Sequence, residues 1–202
     1  MTIDNTLIVV IKYNAGNIHS VVHALRREGV EPVVTDDKKL ILCADKVISP
    51  GVGEASTTMR YLHEHGLDTL IKSLTQPVLG ICLGMQLMCS HSEEGDADCL
   101  GIFDVDVKKF VRTSDEDKIP HMGWNQITEL RSPLMENVID KGYVYFVHSY
   151  YVPLCEETIA TANYIQPYSA ALQKDNFFAT QFHPEKSGSV GERIIRNFLI
   201  AP

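Results

Sequence analysis

The 202-residue chain holds five cysteines, Cys43, Cys82, Cys89, Cys99 and Cys155, and only Cys82 stands in a setting that could make it reactive. It is the centre of Pro77-Val-Leu-Gly80-Ile-Cys82-Leu-Gly84-Met-Gln86. A buried-strand pattern runs into Gly-x-Cys-x-Gly and leaves at once into an apolar helical pattern. This is the sequence of a nucleophile elbow, a strained strand-to-helix turn in which small residues two places to either side prevent a collision. The free N–H groups at the helix start stabilise negative charge on sulfur. The N–H of Leu83 is expected to point where the oxyanion of a tetrahedral intermediate would form. A structural cysteine in a glycine-flanked turn is the plainer alternative.

A cysteine nucleophile needs a base and a group that orients it. Gln181-Phe-His183-Pro-Glu185-Lys186-Ser187 offers both, because a two-residue step in extended chain puts His183 and Glu185 on one side. Pro184 between them fixes φ and stiffens the pair. His19, His23, His63, His65 and His91 lie in helical or polar contexts that simple exposure explains. A third segment, Ser49-Pro-Gly51-Val52-Gly53-Glu54, follows a short strand pattern. Its Gly51–Val52–Gly53 backbone is a candidate second oxyanion donor, at the strand end where ligands of open α/β sheets gather. It lacks the lysine and spacing of a phosphate loop, and no GxGxxG follows the first strand. No metal ligand set and no cofactor are expected.

These residues need elements to hold them. Leu7–Ile11 reads as a strand buried on both faces, and 17–28 as an amphipathic helix stopped by Gly29. Short strands are expected at 32–34 and 46–49, helical material over 59–74 with a break near Gly66, and a buried strand at 77–81. This βαβ alternation predicts a parallel sheet covered by helices. Beyond it, strand patterns dominate at 103–110, 143–147, 158–162, 170–172 and 177–182, before a closing helix over 190–199. The expected class is α/β: an open mixed, mostly parallel sheet flanked by helices with an antiparallel extension, in one domain spanning 1–202. Asp115-Glu116-Asp117-Lys118 reads as a solvated loop.

Bulk properties narrow the function. Hydrophobic residues make up 45% and charged residues 22% of the chain, enough for a sizeable core. A net charge of −8 argues against holding nucleic acid or an anionic membrane by charge. The opening apolar run is too short for a signal-peptide core or a membrane span, and the cysteines form no CxxC pair, so a cytoplasmic protein with free thiols is expected.

Gly80-Ile-Cys82-Leu-Gly84-Met-Gln86 together with His183-Pro-Glu185 resembles the class I (triad) glutamine amidotransferases. Four further segments resemble one branch of that family, the glutaminase subunits of imidazole glycerol phosphate synthases: Tyr13-Asn-Ala-Gly16-Asn17-Ile-His-Ser20-Val, Pro50-Gly51-Val52-Gly53, Pro120-His121-Met-Gly123-Trp124-Asn125 and Tyr145-Phe-Val-His148-Ser149-Tyr150-Tyr151. The resemblance implies that L-glutamine is hydrolysed through a thioester on Cys82, with His183 as base and then acid, oriented by Glu185. It implies that Val52, Gly53 and Leu83 surround the oxyanion, and that Gly51, Gln86, Ser149 and Tyr150 help seat glutamine. Ammonia would pass to a separate (β/α)8 cyclase subunit, docked near Trp124, Asn125, Tyr145 and Lys186, for histidine biosynthesis. A paralogue feeding a different synthase, a free-standing γ-glutamyl hydrolase and a non-catalytic subunit are the rival readings. The chain departs from the family pattern at Lys12 and Asn14, where Asp and Gly are usual, and at Glu54, where Ala is usual.

Overall fold

In the computed structural model, which describes residues 6–13 and 18–200, the first half alternates strand and helix. The elements are β1 (Ile8–Ile11), α1 (Ile18–Arg27), β2 (Val33–Thr35), α2 (Lys38–Cys43), β3 (Lys46–Gly51), α3 (Ala55–Glu64), α4 (Leu67–Lys72), β4 (Val78–Cys82) and α5 (Leu83–Leu87). The second half is mostly strand: β5 (His91–Ser92), β6 (Ala97–Asp98), β7 (Asp106–Lys109), β8 (His121–Gln126), β9 (Tyr143–His148), β10 (Tyr150–Tyr151), β11 (Thr158–Tyr164), β12 (Gln166–Lys174) and β13 (Phe177–Thr180), closed by α6 (Gly188–Ile200). Seven strands form one sheet in the order β11-β12-β13-β4-β3-β1-β2. Its β13-β4-β3-β1-β2 portion is parallel, and β12 and β11 extend it antiparallel. A four-stranded sheet, β10-β7-β5-β6, and the hairpin β8-β9 lie beside it.

The expected mixed sheet is present, and β1 shows how it is buried. Ile8 and Val10 pack on one face with Leu25 of α1 and Phe198 of α6. Val9 and Ile11 pack on the other face with Leu62 of α3 and Ile71 of α4. Alternate side chains of one strand thus feed two apolar layers, so the run needs no polar alternation. The break near Gly66 falls between α3 and α4, where Gly66 adopts φ +57. Helix α2, strand β8 and the short strands β5, β6 and β10 escaped the pattern. Helix α2 is six residues long, buries only Ile41 and is capped by the Asp37 carboxylate, which accepts from Lys39 N at 2.8 Å. Strand β8 carries too many polar residues to read as one. The beginning of the expected helix at Asn17, and Asn14 and Gly16 of the N-terminal signature, lie outside the described residues. No helix among the described residues is long and apolar enough to cross a membrane.

Candidate active site

Strand β4 ends on Cys82, and α5 begins at the next residue. Cys82 holds φ 54 and ψ −107, a region that L-residues seldom adopt and that marks a strained, over-determined turn. Close packing holds it there. A Cβ on Gly80 would come within 2.8 Å of the Gly84 carbonyl oxygen, and a Cβ on Gly84 would overlap the carbonyl oxygen of Ser49 in β3. Gly51 lies opposite Cys82 in the β3–β4 register, and a Cβ there would press on Leu83. Beneath this glycine segment the buried Tyr13 donates its hydroxyl to the Pro50 carbonyl. Burial pushes the Tyr13 pKa up, partly opposed by a hydrogen bond with Ser49. Helix α5 is little more than one turn, so its dipole is small, and local N–H groups matter more than helix length here.

His183 reaches Cys82 by a slightly different route from the extended step expected. It follows β13 in extended conformation, but Glu185 already belongs to a 3-10 turn over Pro184–Lys186. The turn brings Glu185 Oε1 to 2.8 Å from His183 Nδ1, with both side chains 1% exposed. Nδ1 is thereby committed to the carboxylate, and Nε2 is left for the thiol. Nε2 makes no hydrogen bond of ordinary geometry, yet the sulfur is near enough to act on the ring. Burial alone would lower the His183 pKa; the sulfur of Cys82 and the carboxylate of Glu185 outweigh it and push the value up to about 10. A negative charge on the sulfur therefore favours a proton on the ring.

A cavity of about 260 Å³ opens on Cys82 and is lined by Val52, Gly53, Leu83, Gln86, Glu94, Val147, His148, Ser149 and Tyr150. The candidate oxyanion residues Val52, Gly53 and Leu83 and the candidate glutamine ligands Gln86, Ser149 and Tyr150 thus share one small space with the thiol, and Gly51 adjoins it in register. Buried Gln86 donates through Nε2 to the Tyr150 carbonyl at 3.1 Å and to Gln181 Oε1 at 2.9 Å. Gln181 in turn directs its Nε2 at Cys82 Sγ, 3.7 Å away. A larger opening of about 420 Å³ beside Tyr13, Arg60 and Glu64 has no cysteine or histidine in its lining among the described residues.

Gln181 and Glu94, both close to this site, were not candidate site residues in the sequence. Gln181 sits in the same segment as His183, and its proximity to sulfur follows from β13 running beside β4. Glu94 lies between β5 and β6, and its Oε2 accepts from Ala55 N at 2.9 Å. Burial raises its pKa, the hydrogen bond from Ala55 opposes that, and Glu54 adds to it. The departure at Glu54 is local: its Oε1 accepts from Ser56 Oγ at 2.9 Å, just before α3.

The expected docking residues separate into two environments. Trp124 and Tyr145 are opposite each other on β8 and β9, with ring centroids 6.1 Å apart, and Lys186 Nζ lies 5.9 Å from the Tyr145 ring. Trp124 is 55% exposed and Met122 63%, an apolar patch that water alone does not favour. Asn125 is engaged inward: its Nδ2 donates to the Asn163 carbonyl at 3.0 Å and lies 3.5 Å from His121 Nε2.

The family model "Glutamine amidotransferase class-I" matches residues 9–202. The chain is 65% identical over 192 residues to the imidazole glycerol phosphate synthase subunit HisH of Bacteroides thetaiotaomicron, covering 95% of this chain and 98% of that protein. It is 47% identical over 194 residues to the protein of the same description from Escherichia coli, again covering 95% and 98%. A crystal structure of a glutamine amidotransferase superposes with a TM-score of 0.72 at 18% identity, covering 95% of this chain and 96% of the other, which speaks for the fold alone. With this extent of agreement, the chain belongs to the class-I glutamine amidotransferase family and, within it, to the HisH relatives.

Proposed function

We propose that this chain, as one domain over 1–202, is the glutaminase subunit of a cytoplasmic imidazole glycerol phosphate synthase, supplying ammonia from L-glutamine to a (β/α)8 cyclase subunit for histidine biosynthesis. The observation that carries the reading is the Cys82 elbow set against the buried His183–Glu185 pair. As His183 Nε2 takes the thiol proton, the sulfur of Cys82 attacks the γ-carboxamide carbon of glutamine, and the C=O electron pair moves onto oxygen, beside the backbone of Leu83, Val52 and Gly53. The proton held on His183 Nε2 passes to the departing nitrogen, so ammonia leaves and a γ-glutamyl thioester remains. The now neutral ring takes a proton from water, hydroxide adds to the thioester, and collapse releases glutamate and the sulfur of Cys82. Glu185 holds Nδ1 throughout. Gly51, Gln86, Ser149 and Tyr150 seat the substrate. Glu94, whose carboxylate is in the cavity lining, takes the α-ammonium group.

The patch at Trp124, Tyr145 and Lys186, with Asn125 behind it, is the proposed cyclase contact. A glutaminase assay with and without the matching cyclase subunit, followed by assay for imidazole glycerol phosphate, tests the reading. Slow basal hydrolysis that rises on adding the cyclase is expected. Equal rates in both cases point to a free-standing hydrolase, and stimulation without that product points to a different synthase.

A further inference from the structure

From His148 in the cavity wall inward, His148, Tyr168 and His121 form a buried polar cluster that the proposed chemistry does not use. His121 begins β8 and His148 ends β9, as register partners; Tyr168 comes from β12. They are 4%, 6% and 0% exposed. Tyr164 and Phe146 stack on the His121 ring, with centroids 3.9 and 4.9 Å away, which fixes its plane. The Tyr168 hydroxyl lies 3.2 Å from His121 Nδ1 and 3.4 Å from His148 Nε2, and His148 Nδ1 lies 2.7 Å from the Tyr150 carbonyl.

One carbonyl determines every proton in this cluster. The Tyr150 oxygen can only accept, so His148 Nδ1 carries hydrogen. Burial lowers the His148 and His121 pKa values to about 3 and about 4, so both rings are neutral near pH 7. His148 Nε2 is then bare and must accept from the Tyr168 hydroxyl. The phenol oxygen in turn accepts from His121 Nδ1–H, which leaves His121 Nε2 to accept from Asn125 Nδ2. The Tyr150 carbonyl also receives Gln86 Nε2, whose amide bonds Gln181, which contacts Cys82 Sγ.

We propose that Tyr168 is a positioning residue of the glutaminase site: its hydroxyl orders His121 and His148 into a one-way hydrogen-bond chain from Asn125 on β8 to the Tyr150 carbonyl, where it meets the Gln86–Gln181 arm that ends on Cys82. This rests on the glutaminase reading for its consequence but not for its geometry. Strand β8, whose outer side presents Met122 and Trp124, is thereby tied to the wall of the substrate cavity.

Long-range 15N–1H spectra of the full chain with labelled histidine near pH 7.5 read the tautomers directly. Both His121 and His148 are expected as Nδ1–H, the minor form of free imidazole; an Nε2–H form at either ring overturns the chain. Tyr168→Phe removes one oxygen and leaves the aromatic volume. Assayed with the cyclase subunit, it is expected to raise the KM for glutamine about three- to tenfold, the equivalent of one buried hydrogen bond, with a smaller change in kcat. The His148 tautomer signal should change with it. Unchanged KM in a folded variant, or a fall in kcat alone, overturns the positioning role. Absence of glutaminase activity in the unaltered protein sinks the functional reading instead, while the tautomers still decide the geometry.

Discussion

Tyr145 and His183 are joined twice through their backbones. His183 N donates to the Tyr145 carbonyl at 2.9 Å. Ser187 Oγ closes a second link, accepting from Tyr145 N at 3.0 Å and donating to the His183 carbonyl at 2.6 Å. The strand whose outer side carries the Tyr145 ring therefore also holds the main chain of the proposed base. Movement of β9 against its surroundings cannot leave His183 where it was, which offers a physical route from a docked partner to the chemistry.

Ser187→Ala should expose that route. The substitution leaves Tyr145 N–H and the His183 carbonyl without this shared partner in a buried place, at a cost of about 1–3 kcal/mol. Thermal unfolding should begin at lower temperature, and kcat should fall while the KM for glutamine stays near its original value, because His183 acts in bond breaking and not in seating. A lowered melting temperature with an unchanged kcat would mean that His183 is held independently of Ser187.

Gly84→Ala tests the elbow. The added Cβ would overlap the Ser49 carbonyl, which the β3–β4 pairing keeps from moving aside. Overpacking against backbone costs about 1–3 kcal/mol or more, and the displaced turn should lose nearly all glutaminase activity. Gly53→Ala makes the contrast: nothing lies within 4 Å of its Cβ position, but φ is +136. Activity should drop there with a smaller loss of thermal stability. Similar melting temperatures for the Gly84 and Gly53 variants would remove the packing explanation.

The raised His183 pKa has a thermodynamic consequence. The folded protein binds this proton more tightly than the unfolded chain, whose histidine titrates near 6.5. The stabilisation is complete below that value and disappears as pH rises through about 10. Glu185→Gln keeps an acceptor for Nδ1 but removes a charge, which lowers the folded pKa. Melting temperatures measured from pH 6.5 to 10 should therefore fall more steeply for the natural protein than for the variant. Parallel curves would refute the link between Glu185 and the His183 proton.

Much of the site was legible because its chemistry is local in sequence. Gly80, Cys82 and Gly84 specify the elbow within five residues, and His183 and Glu185 meet within three. The mixed sheet was legible for the same reason: β1 and β4 are apolar runs and α1 has a clear apolar stripe. What escaped depends on distant segments. Gln181 reaches Cys82 only because β13 pairs with β4, and Glu94 enters the cavity only because the small sheet folds over α3. Tyr168 fell outside the expected strands, and its meaning comes from two histidines on another hairpin. Strand β8 was hidden because its polar side chains find partners in the fold instead of solvent, as Asn125 does at Asn163.

Glu94 provides the sharpest test of how the cavity recognises an amino acid. Its carboxylate shares the cavity lining with Gln86, Ser149 and Tyr150, and under the proposed function it binds the α-ammonium of glutamine. Glu94→Gln keeps an oxygen to accept from Ala55 N, so the segment should remain folded while the charge is lost. A hydrogen bond to a charged group is worth about 1.5–3 kcal/mol, so the KM for glutamine should rise roughly ten- to hundredfold with kcat less affected. The control is 4-carbamoylbutanoate, which has the same carboxamide and carboxylate but no ammonium. The natural protein should strongly prefer glutamine over it, and the variant should lose most of that preference. If the variant discriminates as well as the natural protein does, the α-ammonium is bound elsewhere and Glu94 serves only to hold the start of α3.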